Sequence, residues 1–289
     1  MPNRPGHGAP DAGGQLASVM AIVNRTPDSF YDKGATFAVD KAVKRAGEAV
    51  ADGASIIDVG GVKAGPGASV SPAEEIDRVV PVIAAVRGAH SGVTISVDTW
   101  RAEVAEAAIA AGADLINDTW AGYDPELIEV AGGARVGYVC SHTGGAVPRT
   151  RPHRVHYDDV VADVIAETTA LAERAVAAGA PEGKVFIDPT HDFGKNTFHG
   201  LEILRRVDEL VATGWPVLMA LSNKDFVGET VGRPVGERVA GTLAATAWAA
   251  ARGVAAFRVH QVAETVDVIR MTAAIQGVAP PVDTVRGLA

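Results

Sequence analysis

Residues that ionise or accept hydrogen bonds recur directly after short apolar runs along this chain. An Asp or Asn in such a place is often a helix N-cap or a turn residue, and this explanation suits Asp58 and Asp118 best. Recurrence after eight successive runs instead indicates that the runs carry these side chains to one shared site. The set comprises Asn24, Asp58, Asp98, Asn117, Asp118, His142, Asp188, Ser222, Asn223, Lys224, Arg258 and His260.

One part of this set suits a planar heterocycle. Asp98, Asn117 and Asp188 offer carboxylate and amide acceptors, which a ring with N–H edges needs when it is held in a dry site. Lys224 adds a cation that can stack on a ring face or reach a carbonyl oxygen, although a solvated loop lysine is the plain alternative. Phe193, in a turn that contains glycine, supplies an apolar wall.

Another part of the set suits an anion. Arg258 and His260 bracket the end of the last apolar run, and Asn24 is predicted to lie on the same side of the site. Two potential cations beside an amide fit a phosphate or pyrophosphate accompanied by Mg²⁺. For His260 the plain alternative is a hydrogen-bonded histidine at a strand end.

The elements that position these residues alternate between continuous apolar runs and amphipathic stretches. Continuous apolar strands separated by helices indicate a parallel sheet buried on both faces, and eight such units favour closure into a (β/α)8 TIM barrel. The strands are predicted over 18–23, 54–59, 93–97, 114–116, 135–140, 184–187, 216–221 and 255–259. The helices are predicted over 39–52, 74–87, 101–111, 125–131, 157–178, 201–213, 235–252 and 263–276.

Length and composition agree with this fold class and exclude some partners. A chain of 289 residues suits one barrel of about 250 residues, with a disordered leader over 1–15, a single domain over 16–280 and a tail over 281–289. A net charge of −9 argues against nucleic acid and anionic membranes as partners, and no apolar run is long enough to span a bilayer. The single cysteine, Cys140, excludes an internal disulfide and fits a reducing cytoplasm.

Seven ordered segments resemble the dihydropteroate synthase family over almost the whole chain after the leader. No single segment is specific, but the ordered set is. The segments are Asn24-Arg25-Thr26-Pro27-Asp28-Ser29-Phe30, Asp58-Val59-Gly60-Gly61, Ser96-Val97-Asp98-Thr99, Ile116-Asn117-Asp118, Asp188-Pro189 with Phe193-Gly194-Lys195, Ser222-Asn223-Lys224-Asp225-Phe226-Val227-Gly228, and Arg258-Val259-His260.

The resemblance implies an activity and a role for each position. The family condenses a 6-hydroxymethyl-dihydropterin pyrophosphate with p-aminobenzoate, in folate biosynthesis, and generally forms homodimers. Asn24 would bind the Mg²⁺ cofactor and, with Arg258 and His260, the pyrophosphate. The pterin would be held by Asp98, Asn117, Asp188, Phe193 and Lys224. The residues implied for catalysis are Asn24, Asp98, Lys224, Arg258 and His260.

This chain departs from the family pattern on the p-aminobenzoate side. Val62-Lys63-Ala64-Gly65 stands where the family's second loop carries Glu-Ser-Thr-Arg, and Lys63 is a poor replacement for a stacked or bidentate Arg. After Ser222, Asn223 replaces the family's Arg. Thr190 and Asp192 replace two glycines. The pattern resembles a divergent second homologue of the family found in some actinobacteria, and it predicts a retained pterin and pyrophosphate site with weak or absent synthase activity.

Three functions therefore compete at this point. The first is a working transferase whose rebuilt loop accepts p-aminobenzoate or another aryl amine. The second is a non-catalytic protein that senses a pterin or phosphate compound or regulates a partner enzyme. The third is a corrinoid-dependent methyltransferase, against which the pair Arg258 and His260 and the Thr-Pro-Asp-Ser-Phe loop argue.

Overall fold

Eight parallel strands form a closed barrel, as the sequence predicts. The structure is a computed structural model that describes residues 16–26, 38–150 and 156–286, so the predicted leader and the final tail residues lie outside it. The hydrogen-bonded order is β6-β5-β4-β3-β2-β1-β8-β7, and a parallel bridge between Ile187 and Val217 joins the two ends. The strands are β1 Ser18–Asn24, β2 Ile56–Gly60, β3 Thr94–Asp98, β4 Leu115–Asp118, β5 Gly137–Ser141, β6 Val185–Asp188, β7 Leu218–Met219 and β8 Ala256–Val259.

Helices cover the outside of the barrel and bury their apolar faces against the strands. They are α1 Val39–Ala51, α2 Pro72–Ala89, α3 Ala102–Ala110, α4 Glu126–Ala134, α5 Val160–Ala178, α6 Thr197–Arg205, α7 Val207–Val211, α8 Asp225–Val231, α9 Val239–Ala250 and α10 Val262–Ile275. In α1, for example, Ala42, Ala46 and Ala49 are buried at helical spacing. None of the described helices is long and apolar enough to cross a membrane.

The structure differs from the sequence prediction in two predicted elements and in one helix that was not predicted. The helix predicted over 201–213 is two helices, because Arg206 leaves helical backbone geometry between α6 and α7. Strand β7 is much shorter than the apolar run 216–221, since the chain turns at Asn223, whose φ is +59°. The short helix α8 was not predicted, because its sequence overlaps the polar motif after β7.

The barrel interior explains why the site lies at the carboxyl ends of the strands. A compact apolar cluster fills the lower half of the barrel. Side chains that pack in this way leave no channel through the barrel, and barrels of this kind bind their ligands at the rim where the loops follow the strands. The cluster consists of Met20, Ile56, Leu115, Val139, Leu218 and Ala256, with Phe186 packed against it.

Helices α4 and α5 approach each other unusually closely at Gly132. A Cβ atom at this position would lie 2.2 Å from the carbonyl oxygen of Ala178, well inside van der Waals contact. The next residue, Gly133, has no atom within 4 Å of the same hypothetical Cβ. Helix packing therefore requires glycine at Gly132 but not at Gly133.

Candidate active site

A cavity of about 700 Å³ opens at the carboxyl ends of the strands. Of the residues to which the family resemblance assigns a place in the site, all except Asn117 and Asp188 line this cavity, and those two are buried beside it in the barrel. The predicted residues that line the cavity are Asn24, Val62, Lys63, Ala64, Asp98, Phe193, Ser222, Asn223, Lys224, Arg258 and His260. The ends of β1, β3 and β8 supply Asn24, Asp98 and Arg258 respectively.

Arg258 is bound by two carboxylates within the barrel. Its Nε donates to Asp58 Oδ2 at 2.6 Å, and its Nη2 donates to Asp98 Oδ2 at 2.7 Å. Asp58 is fully buried and also accepts from Ser96 Oγ at 2.6 Å and from Asn117 Nδ2 at 3.2 Å. The network ties four strands together, and the structure places Asp58 at its centre rather than at a helix cap.

Burial raises the pKa of two carboxyl groups, one that lines the cavity and one beside it, toward 7. Burial raises the pKa of Asp98 to about 7, with a further rise from the charge of Asp58 and an opposing effect from Arg258. Burial also raises the pKa of Asp188 to about 6, although its Oδ1 accepts the backbone N–H of Thr190 at 2.7 Å. Both groups therefore change charge within the physiological range, which makes them suitable partners for a ligand that presents N–H groups.

Asn117 offers an acceptor that the described residues do not use. Its Nδ2 faces Asp58, while its Oδ1 is buried and has no hydrogen-bond partner among the described side chains and backbone. A buried amide oxygen without a partner is costly. A ligand N–H group would satisfy it.

Lys224 is engaged by a carboxylate that replaces a family glycine. Its Nζ lies 2.7 Å from Asp192 Oδ2, and the two side chains are 17 % and 33 % exposed. Asp192 follows Thr190, which has a φ of +50°, a backbone geometry that glycine adopts more readily. This ion pair is not predictable from sequence patterns, because it depends on how the turn after β6 folds toward the turn after β7.

Lys195 holds the same turn in place, although the sequence analysis did not select it as a site residue. Its buried ammonium donates to the carbonyl oxygens of His142, Thr190 and Phe193 at 3.0 to 3.2 Å. Burial lowers its pKa to about 7, against opposing effects from carboxylates that include Asp188. These three hydrogen bonds therefore hold the turn that carries Asp192 in place.

His260 lies just after β8 and is hydrogen-bonded to the turn that follows β7. Burial lowers its pKa to about 3, with additional lowering from Arg258, so the imidazole is neutral at physiological pH. Its Nδ1 lies 3.0 Å from Ser222 Oγ, and Ser222 Oγ also accepts the backbone N–H of His260 at 3.2 Å. The plain alternative of a hydrogen-bonded histidine at a strand end thus describes the contacts of His260.

The turn that follows β7 is fixed by backbone contacts. The N–H of Asn223 donates to Thr242 Oγ1 at 3.1 Å, and its carbonyl accepts from Arg238 Nη1 at 2.9 Å. Asn223 Nδ2 reaches Gln261 Oε1 at 3.3 Å. Asn223 therefore connects β7 to β8 and α9, and it adds no positive charge where the family pattern has Arg.

The rebuilt second loop packs on aromatic side chains. Val62 and Ala64 contact a cluster that contains Trp100 and Trp120. Phe193 meets Trp120 edge to face, with ring centroids 4.6 Å apart. This side of the cavity thus has an apolar wall. The two tryptophans are not among the predicted site residues, although each lies two residues after an Asp that ends a strand, Asp98 for Trp100 and Asp118 for Trp120.

The Asn24 side of the cavity offers hard oxygen ligands. A Cβ at Gly60 would lie 3.4 Å from Asn24 Oδ1 and 3.7 Å from Asp98 Oδ2, so the two oxygens flank a space that glycine keeps open. Mg²⁺ favours such oxygen ligands and usually takes only one or two from protein, with substrate phosphates completing its shell. The donor set fits Mg²⁺ with Asn24 as a ligand.

Two rim residues turn away from the cavity. Asp118 accepts from the backbone N–H of Trp120 at 3.0 Å and from Tyr138 Oη at 2.7 Å, which makes it a turn residue as its alternative explanation stated. His142 is buried against α5, where its Nε2 faces Asp163 and Glu167.

Comparison with known proteins agrees with this architecture. The pterin binding enzyme family matches residues 20–260. A Mycobacterium leprae protein described as inactive dihydropteroate synthase 2 is 64 % identical over 275 residues, which cover 94 % of each chain. The dihydropteroate synthase of Staphylococcus haemolyticus is 42 % identical over 84 % of this chain and 89 % of its own.

A solved structure supports the same assignment. The dihydropteroate synthase of Xanthomonas albilineans with 4-aminobenzoic acid is 40 % identical and superposes with a TM-score of 0.82, covering 90 % of this chain and 93 % of its own. The family match extends from β1 to His260, the span that contains the whole cavity network. The chain therefore belongs to the dihydropteroate synthase family of pterin-binding enzymes.

Proposed function

We propose that this protein binds a dihydropterin pyrophosphate and has weak or no dihydropteroate synthase activity. The observation that carries the proposal is the contrast between the two halves of one cavity. The deep half keeps acceptors at the partly buried Asp98 and at the buried Asn117 and Asp188. On the outer half, Val62 and Ala64 pack on an aromatic cluster in the place of polar family residues.

The deep half supports pterin binding. Ionised Asp98 and Asp188 would accept N–H groups of the ring, and Asn117 Oδ1 would accept a further one. Phe193 would cover one ring face, and Lys224 would reach the ring once it leaves Asp192. These contacts are made in a largely dry pocket, where charge-assisted hydrogen bonds are strongest.

The reaction also requires stabilisation of the departing pyrophosphate, and here the site is weak. Arg258 is shared between two carboxylates, Lys224 is paired with Asp192, and His260 is neutral. When bound, Mg²⁺ would neutralise phosphate charge, with Asn24 as its protein ligand. Charge that develops only in the transition state must be met by groups already aimed at it, so engaged cations slow catalysis more than they weaken binding.

The test separates binding from turnover. Isothermal titration calorimetry with the pterin pyrophosphate and Mg²⁺ is expected to show binding, and Asp98→Ala is expected to lose it. A coupled pyrophosphate-release assay with p-aminobenzoate and a panel of aryl amines is expected to show little release above that variant. Efficient release would refute impaired catalysis, and absence of binding with Mg²⁺ present would refute the retained pterin site.

The competing hypotheses of a pterin or phosphate sensor and of a corrinoid-dependent methyltransferase gain no support from the comparisons. The relatives reported above carry dihydropteroate synthase names, and the inactive one shares the most sequence among them. The pyrophosphate-release assay separates a purely regulatory protein from a weak synthase, because only the synthase would release pyrophosphate above the Asp98→Ala variant.

We also propose a homodimer in the cytoplasm. An apolar groove between α6, α8 and α9 contains Phe226, Val227, Val231, Ala245 and Trp248, and Val231 and Trp248 are both 45 % exposed. Exposed apolar patches of this kind commonly mark interfaces. The free, buried Cys140 fits a reducing compartment. Light scattering after size exclusion is expected to give twice the chain mass, with Val231→Lys giving a monomer.

A further inference from the structure

A second cluster of ligand-type side chains lies outside the barrel mouth, between the end of β5 and helix α5. His142 Nε2 lies 3.4 Å from Glu167 Oε2 and 3.7 Å from Asp163 Oδ2. Asp163 and Glu167 are four residues apart on α5, so their side chains project from the same face of the helix. One ligand atom from each of the three residues lies within 4.8 Å of the others.

The imidazole of His142 points into this cluster without a hydrogen bond. The side chain is fully buried, and neither ring nitrogen has a hydrogen-bond partner among the described residues. A buried polar atom without a partner costs free energy that the protein normally recovers elsewhere. A cation between Nε2 and the two carboxylates would satisfy all three groups, and the nearby ammonium of Lys195 does not serve there, because it donates to three backbone carbonyls.

We propose that His142, Asp163 and Glu167 form a binding site for a divalent transition-metal ion of the Zn²⁺ type. Ligands about 2.1 Å from a tetrahedral ion lie about 3.4 Å apart, close to the two distances from His142 Nε2. The carboxylates are 38 % and 46 % exposed, which leaves them room to rotate and leaves a coordination position open to water. One imidazole with two carboxylates favours Zn²⁺ or a similar ion, whereas Mg²⁺ prefers oxygen ligands alone.

The site would be connected to one wall of the cavity. The backbone N–H of His142 donates to Thr190 Oγ1 at 3.3 Å, and its carbonyl accepts from Lys195 Nζ at 3.0 Å. A metal bound to the His142 side chain would thus fix the turn that carries Asp192 and Phe193. This role differs from that of Asn24, which lies at the end of β1 across the barrel and lines the cavity.

The experiment uses the full chain after removal of any affinity tag, with Zn²⁺ itself as the probe. Equilibrium dialysis in excess Mg²⁺ is expected to show one Zn²⁺ per chain. Asp163→Asn and Glu167→Gln, whose carboxylates are partly exposed, are each expected to weaken binding at least tenfold, since even loss of an outer-shell partner costs about 10–100-fold. Glu173→Gln, an exposed residue further along α5, makes the same charge change away from the cluster and is expected to bind as the wild type does.

A spectroscopic readout tests the histidine directly. Long-range ¹H–¹⁵N spectra are expected to show a shift of the His142 Nε2 resonance on addition of one equivalent of Zn²⁺, with the resonance assigned by its loss in His142→Gln. Absence of Zn²⁺ binding, displacement of Zn²⁺ by Mg²⁺, or equal affinity in the three acidic variants would overturn the proposal. In each of those cases the carboxylates would serve only to balance the charge of Lys195, with which they interact electrostatically.

Discussion

Replacing Asp192 with Asn is expected to strengthen the binding of a pterin pyrophosphate. The substitution removes the charge that holds Lys224 Nζ at 2.7 Å while keeping a side chain of the same size. In the wild type, Lys224 must leave Asp192 before it can contact a ligand in the cavity, and the ligand bears the cost of breaking that pair. The carboxylate would also repel the phosphates of the ligand.

The expected change in binding free energy depends on how deeply the Asp192–Lys224 pair is buried. Fully exposed pairs contribute about 0.2–1 kcal/mol, whereas two unit charges 4 Å apart at an effective dielectric constant of 20 interact by about 4 kcal/mol before desolvation is subtracted. Side chains that are 17 % and 33 % exposed lie between these limits, so about 1–2 kcal/mol is a reasonable value. Since 1.4 kcal/mol corresponds to a tenfold change, the affinity of Asp192→Asn should rise about 5–30-fold.

Calorimetry with the pterin pyrophosphate and Mg²⁺ measures this change. Glu229→Gln is the matched control, because Glu229 also lines the cavity and loses one negative charge but does not pair with Lys224. A gain in Asp192→Asn that the control does not share supports release of Lys224. An equal gain in both variants would show that only the overall potential matters, and an unchanged affinity in Asp192→Asn would refute the reasoning.

Three further outcomes can be measured. Binding of a neutral pterin should strengthen from pH 5.5 to 8, since Asp98 has a pKa of about 7 and accepts hydrogen bonds better when it is ionised, and Asp98→Asn should flatten this calorimetric profile. Arg258→Lys should lower the free energy of unfolding by about 3 kcal/mol in denaturant titrations, because one ammonium cannot span Asp58 and Asp98. Gly132→Ala should cost about 3 kcal/mol in the same assay, while Gly133→Ala should be neutral or stabilising by up to about 1 kcal/mol.

The barrel and the position of its site were predictable because they depend on local patterns. Continuous apolar runs separated by helical periodicity indicate buried parallel strands, and the polar residues that follow them reach one rim whatever the details of packing. Asn24, Asp98 and Arg258 were found in this way and line one cavity. The end of β7 was not predictable from hydropathy. Strand pairing ends at Met219, but Ala220 and Leu221 continue the buried apolar run.

The pairing of charges could not be predicted from the sequence. The prediction that Arg258 binds a phosphate does not include its contacts with Asp58 and Asp98, two carboxylates from strands on the other side of β1. Asp192 was noticed only as the loss of a glycine, whereas the structure shows that its carboxylate reaches Lys224. Such pairs depend on distances of a few ångström between turns, which no periodicity encodes.

The apolar second loop and the ion pairs of Arg258 and Lys224 affect different properties, recognition of the amine and the rate of turnover respectively. Apolar residues at Val62 and Ala64 remove polar groups from the wall on which an aryl amine would sit, which affects recognition of the second substrate. The pairs at Arg258 and Lys224 leave the proposed pterin acceptors in place but engage two cations, of which Arg258 is proposed to hold the pyrophosphate and Lys224 the pterin ring. Interactions that strengthen only in the transition state govern turnover, so restoring a polar second loop alone should recover binding of the amine without recovering the rate. Recovery of both would require that Lys224 also be released.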